Sequence, residues 1–208
     1  GAYGLKLGSA TTDLTISENL TINQGQNTGI DTGSADLTLN SPVTVLGGGF
    51  KSIGGTITFG PNSGATSFAQ NTGMELTDTA LVLQTDVNIR DLMIGGTSVV
   101  SIGAGKTLSG SVTVSAGTLK LDKTGTLASN ISMSGGTLDA DESLTISGAL
   151  TQAGNITIDV AENKTLGYSG AAVNLGAKSL TMSGKGTFNN TNALRLNNVS
   201  SKLLLSNT

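Results

Sequence analysis

Leu108-Ser109-Gly110-Ser111-Val112-Thr113-Val114-Ser115-Ala116-Gly117-Thr118-Leu119 is followed by a near copy of itself, Leu127-Ala128-Ser129-Asn130-Ile131-Ser132-Met133-Ser134-Gly135-Gly136-Thr137-Leu138. Leu108, Val112, Val114, Gly117, Thr118 and Leu119 return in the same order, at one constant offset, as Leu127, Ile131, Met133, Gly136, Thr137 and Leu138. Near the N-terminus, Asp13-Leu14-Thr15-Ile16 with Leu20-Thr21-Ile22 returns at a slightly larger offset as Asp36-Leu37-Thr38-Leu39 with Val43-Thr44-Val45. Whole groups of positions recurring at a period near 20 are the mark of stacked repeats, each of which buries its apolar face only against a neighbour.

The unit within each repeat is a triplet of apolar, Thr or Ser, apolar, as in Ile57-Thr58-Phe59, Val112-Thr113-Val114 and Ile156-Thr157-Ile158. In a strand, residues i and i+2 share a face, so the apolar pair points inward and the hydroxyl outward. Between triplets sit Gly, Asn, Asp and Ser, which tolerate the positive φ of tight corners; examples are Gly25-Gln26-Asn27, Gly95-Gly96 and Gly135-Gly136. Glycine interrupts nearly every window of a dozen residues, at about 1 kcal/mol each inside a helix, so no helical segment competes. A sandwich has longer strands and gives no reason for groups of positions to recur at one offset.

The reading is an all-β chain forming a single right-handed parallel β-helix, or β-solenoid, over residues 1–208, with about 10–11 coils of about 19 residues. At the usual strand spacing it would be about 50 Å long. Residues 46–75, with Gly47-Gly48-Gly49 and Pro61-Asn62-Ser63-Gly64, read as coils with longer corners. Phe50, Phe59 and Phe68, evenly spaced through this stretch, read as core filling. Ser143-Leu144-Thr145-Ile146 recurs further on as Ser179-Leu180-Thr181-Met182, with Thr165-Leu166-Gly167-Tyr168 between them. Taken as one column, their unequal steps imply one enlarged and one shortened coil. An in-register stack at the offset of the opening repeat also predicts Lys120 over Asp139, Lys123 over Glu142 and Asp122 over Asp141.

Composition narrows function chiefly by exclusion. The 208 residues include 30 glycines, only 3% aromatic and 12% charged residues, and a net charge of -3. Cysteine and histidine are absent, which removes disulfides, thiolate metal sites and the commonest general base. The eleven Lys and Arg are scattered, which speaks against a nucleic-acid partner. No apolar run is long enough for a membrane span. The start Gly1-Ala2-Tyr3-Gly4 carries no secretory signal, so the chain is expected to be a segment of a longer repeat protein or a processed product.

Three chemistries can be weighed on particular residues. Asp139, Asp141 and Glu142 form the nearest approach to a metal site, since Ca²⁺ takes six to eight oxygens. The calcium-binding repeat G-G-x-G-x-D is absent, however, and the lysines stacked over these carboxylates account for them. Neither a metal nor a cofactor is therefore expected. Asp86, Arg90 and Asp91 form the best local set for a polysaccharide-active enzyme, but they read more simply as a charged corner, and no enzymatic activity is expected. Ice binding would need regular Thr-x-Thr rows, for which Thr56-Ile57-Thr58 is the one clean interior case, beside Thr124-Gly125-Thr126 at a corner.

Ser115-Ala116-Gly117-Thr118-Leu119, Ser134-Gly135-Gly136-Thr137-Leu138 and Ser179-Leu180-Thr181-Met182-Ser183-Gly184 resemble the loose repeats of bacterial surface or secreted β-helix proteins, such as autotransporter passengers and filamentous-haemagglutinin-type adhesins. The resemblance covers about three quarters of the chain and carries over no functional residue. It implies a non-enzymatic extracellular or cell-surface rod that adheres to, or displays, a surface, with a cell-surface glycan or protein as partner. A second reading stays open: a self-assembling filament or surface-layer subunit that joins to itself end to end through exposed strand edges.

Overall fold

The computed structural model describes residues 5–7, 13–23, 29–64, 66–69, 72–121 and 126–206. Within them the chain winds through three strand columns per coil around one apolar core, with every strand pairing parallel and no helix. Face one is a ten-stranded sheet: Leu14–Ile16, Leu37–Leu39, Thr56–Phe59, Ala80–Leu83, Thr97–Ile102, Thr118–Leu121, Thr137–Ala140, Ile156–Val160, Ser179–Ser183 and Lys202–Leu205. The second sheet has fifteen strands because it wraps two faces. Val87–Gly95 and Thr107–Val114 run through both faces, with a register shift between Ile89 and Leu92 where they turn. Gly110 sits at that bend with φ 114°. A Cβ there would lie 1.8 Å from the Ile89 carbonyl oxygen.

Face two runs Leu20–Asn23, Val43–Gly47, Thr66–Phe68, the first parts of the two wrapping strands, Thr126–Leu127, Leu144–Ile146, Thr165–Tyr168 and Thr187–Asn190. Face three runs Leu5–Lys6, Ile30–Gly33, Gly49–Ile53, Gly73–Thr77, the later parts of the wrapping strands, Asn130–Met133 and Leu150–Gln152. Val173–Asn174 and Leu194–Arg195 follow on this side as a separate pair.

The alternation of the triplets is realised as expected. Leu37-Thr38-Leu39 and Thr137–Ala140 bury their apolar side chains and leave the intervening positions half-exposed. Phe50, Phe59 and Phe68 come from faces three, one and two and meet in the core, with ring centroids 6.3 and 6.0 Å apart. Their even spacing matches the length of chain from one face to the next. Residues 46–75 are continuous with the stack: Thr56–Phe59 pairs on both sides, and the corner holding Pro61 only lengthens its coil.

Two expectations are corrected. The stack makes about nine turns with a spacing of about 21 residues, fewer and larger coils than the opening repeat suggests. The register step is short from Leu81 to Val100 and from Leu119 to Leu138, and distinctly longer from Ile57 to Leu81 and from Ile156 to Leu180. Strand lengths are set by the core, so the variation is absorbed at the corners. The opening repeat lies among the tightest parts of the rod, with the step from Gly73 to Asp91 tighter still. Nine steps at the usual strand spacing give a length of about 43 Å. Secondly, Leu144 and Leu180 do not share a column. Leu144 stacks on Leu166 in face two, whereas Leu180 stacks on Ile156 in face one. The shorter of the two steps is a passage between faces, not a shortened coil.

The turn from face three into face one needs a left-handed residue in coil after coil. Gly33, Gly55, Asp78, Gly96, Gly117, Gly136 and Gly176 supply it, with φ between 50° and 80°. The glycines also make close approach possible: a Cβ on Gly117 would lie 1.4 Å from the Gly96 carbonyl oxygen. Asp78 is the one of these seven that is not glycine, and Asp tolerates this region.

Candidate functional site

Several carboxylates and amides at or near the corners are occupied in holding the next coil. The side-chain oxygen of Asp36 accepts the Thr56 N–H at 2.6 Å, that of Asp78 the Thr97 N–H at 2.7 Å, and that of Asp86 the Thr107 N–H at 2.8 Å. Asn130 accepts from Ala149, and Asn155 from Ser179, in the same manner. Each bond satisfies a backbone donor at a point where the ladder gives way to a corner. Sequence reasoning placed Asp and Asn at corners for their turn preference and missed this role. The signal was their recurrence about one coil before a strand start.

Asp139, Asp141 and Glu142 are brought together, as expected from their adjacency, but with cations among them. Lys120 stacks on Asp139 in the expected register, and its Nζ lies 3.8 Å from Asp139 and 2.5 Å from Asp141. Glu142 pairs with Lys164 at 2.6 Å. The expected partners Asp122 and Lys123 lie outside the described residues, as do Gly25-Gln26-Asn27 and the first two residues of Thr124-Gly125-Thr126. One stacking went unforeseen: Asp139 lies directly beneath Asp159, whose carboxylate accepts a hydrogen bond from Ser183 Oγ. Burial, then the neighbouring Asp141, hold the Asp139 carboxyl above its usual 3.8, against the opposing pull of Lys120. Among the described residues no group of three acidic side chains is arranged to hold a metal ion.

Asp86, Arg90 and Asp91 are not brought together. Asp86 lies at the entry to face two and Arg90-Asp91 where the chain turns into face three, so an extended run of about 13 Å separates Asp86 from Arg90. No ion pair joins Arg90 to Asp86 or Asp91 among the described residues. Thr58 stacks on Thr38 and Thr15, but Thr56 stacks on Ala80, so the Thr-x-Thr row is not doubled in the next coil. A longer threonine column extends the Thr118–Thr137 repeat in both directions: Thr97, Thr118, Thr137, Thr157 and Thr181 are in register on face one. The outward column beside it carries Lys120, Asp139 and Asp159, so that strip is charged.

The charges are distributed unequally over the three faces. Face three bears an alternating ladder, Lys6, Asp31, Lys51 and Glu75, with Lys6–Asp31 at 4.0 Å and Lys51–Glu75 at 3.4 Å. Face two bears no Asp, Glu, Lys or Arg in any of its described strand segments. It holds a shallow recess of about 520 Å³ where Gly167 interrupts the outward column between Thr145 and Asn189.

At the C-terminal coil, Met182, Phe188, Leu194, Leu203 and Leu205 border a second recess, of about 450 Å³. Leu205 is 80% exposed. Among the described residues no helix is long and apolar enough to cross a membrane. No family model, no curated protein and no solved structure matches this chain. The class is therefore defined by the geometry alone: a three-faced parallel β-solenoid.

Proposed function

We propose that this chain is a non-enzymatic structural rod of an extracellular or bacterial cell-surface protein, presenting its faces for attachment or display. The observation that supports this most directly is the use made of the polar corner residues. Asp36, Asp78, Asp86, Asn130 and Asn155, which could have furnished a reactive cleft, instead bind backbone N–H groups of the next coil. A rod held together by such brackets has wide, repetitive outer faces. The resemblance of its repeats to those of surface β-helix proteins points the same way. The test is attachment: the chain is displayed on inert beads, and bead retention on cell monolayers and extracellular-matrix coatings is compared with beads carrying an unrelated protein. Retention above that control is expected, and equal retention on every surface would count against an adhesive rod.

The apolar recess at the C-terminal coil favours a second reading, in which the Lys202–Leu205 edge receives a strand from another copy. A following coil of the same polypeptide would fill the recess equally well. Electron microscopy across a concentration series separates the readings for this chain. Discrete particles about 43 Å long at every concentration support the rod, whereas end-to-end filaments that lengthen with concentration make the strand edge the working surface.

A further inference from the structure

Gly167 is not explained by the packing of the chain. It lies within the strand Thr165–Tyr168, and its φ is not left-handed. A Cβ there would meet its nearest neighbour, Thr145 Oγ1, at 3.4 Å, an ordinary contact. The corner glycines differ, since at Gly117 or Gly136 an added Cβ would run into backbone. Glycine weakens a strand interior and often marks a place where something approaches from outside. Here its effect is to open the outward column Thr107, Thr126, Thr145, Gly167, Asn189 at its fourth position.

The opening is the recess on the charge-free face. Its rim is formed by Thr126, Ser143, Thr145, Thr165 and Asn189. Four of these five are exposed and Thr126 is half-buried, and among the described residues the threonine hydroxyls and the Asn189 amide have no partner within the chain. Leu144 also borders the recess, but its side chain is buried in the core, so the exposed lining is polar. Two lysines adjoin lining residues: Lys164, beside Thr165, is held by Glu142, and Lys106, beside Gly105, precedes the strand Thr107–Val114 outside the face. A face with hydroxyl and amide donors and acceptors but no charge in its described strands is poorly suited to a phosphate, a sulfate or a basic peptide. It matches a neutral polyol, which pairs hydroxyl with hydroxyl and amide. The hydroxyl columns repeat about every 4.8 Å along the rod, so a polymer with repeating hydroxyls can engage several coils at once, and weak single contacts sum.

We propose that the recess around Gly167 is a binding subsite for a neutral carbohydrate, and that face two is the strip along which a neutral polysaccharide lies. This rests on the attachment reading above and names the chemistry of the partner. The experiment measures retention of the chain on insoluble cellulose and chitin and retardation by mannan and dextran in native gels, with heparin and alginate as charged comparators, at low and high salt. Retention by at least one neutral polymer is expected, unaltered by salt because no charge takes part. Gly167→Val, which suits a strand but fills the recess, is expected to weaken it at least about tenfold without lowering the melting temperature. Asn189→Ala is expected to weaken it too, and Thr113→Val on face three to leave it unchanged. Should Gly167→Val fail to fold, Asn189→Ala and Gly167→Ser decide in its place. Failure of every neutral polymer to bind, binding by the charged polymers alone, or undiminished binding by the recess variants overturns the proposal. Discrete rods that attach to cells while ignoring neutral polysaccharides would sink this inference and leave the attachment reading standing.

Discussion

Val114 lies on the inward side of face three, fully buried, with Ile94 in the coil before it and Met133 in the coil after. A carboxylate at this position has no cation within the apolar core to pair with, so it must either ionise unpaired or hold its proton. Val114→Asp is expected to destabilise the rod by roughly 3–5 kcal/mol, read as a fall in the urea midpoint; an unchanged midpoint would overturn the inward assignment. Asp78 tests a corner in a different way. Asp78→Ala removes the acceptor of the Thr97 N–H and leaves a residue with no side-chain compensation at φ 50°. The expected loss is about 1–2 kcal/mol at this exposed site. Asp78→Asn keeps both the oxygen and the tolerance of the left-handed region, so its unfolding curve should lie within about 0.5 kcal/mol of the parent. Equal losses for the two variants would show that charge, not the bracket, matters there.

At the scale of an element, the stacked strands Thr137–Ala140 and Ile156–Val160 carry a pH dependence of their own. Their register places Asp139 against Asp159, and Asp141 also presses on it, while Lys120 relieves it only in part. The Asp139 carboxyl is therefore raised in the folded state, chiefly by burial. A raised carboxyl favours the unfolded chain wherever it is ionised in both states. Its destabilising effect is thus complete above the folded value, shrinks as pH falls through that value, and is gone below the unfolded 3.8. Asp139→Asn is expected to melt higher than the parent at neutral pH, with the gap closing in mild acid. A variant that melts lower at neutral pH would mean that the pair with Lys120 outweighs burial. A second element departs from the ladder. Between Leu150–Gln152 and Val173–Asn174 the Tyr168 hydroxyl accepts the Leu150 N–H and donates to the Ala171 carbonyl oxygen. Nearby, Lys178 donates to the Gln152 carbonyl oxygen. Nothing in the sequence signals this seam, because Tyr168 reads as one more inward apolar residue until its hydroxyl is placed.

For the molecule as a whole, a solenoid predicts that coils are separable units. Residues 81–99 are one complete coil by register, since Ala80 lies beneath Val99 and Leu81 beneath Val100. Deleting 81–99 joins Ala80 to Val100 and restores the three columns one layer shorter. This shortened chain is expected to fold cooperatively, with a particle shorter by about 4.8 Å in X-ray scattering. Deleting only 81–90 sends every following strand to the wrong face and should give a chain without a cooperative transition. If both deletions behave alike, the columns do not govern folding.

The sequence alone determined which side chains face inward and that the strands stack, because alternation along a strand is local and a one-residue slip would expose the core. It also foretold the Lys120–Asp139 pair, where the offset of the opening repeat happened to hold. Left undecided was which face each triplet occupies, as Leu144 and Leu180 show, because corner length varies without disturbing the core. Only the tertiary structure decided that Asp36, Asp78 and Asp86 bracket the next coil, that Gly167 opens a recess, and that one face carries no charge in its described strands. Each of these depends on what lies one coil away, a full turn of the chain in sequence but only about 4.8 Å in space.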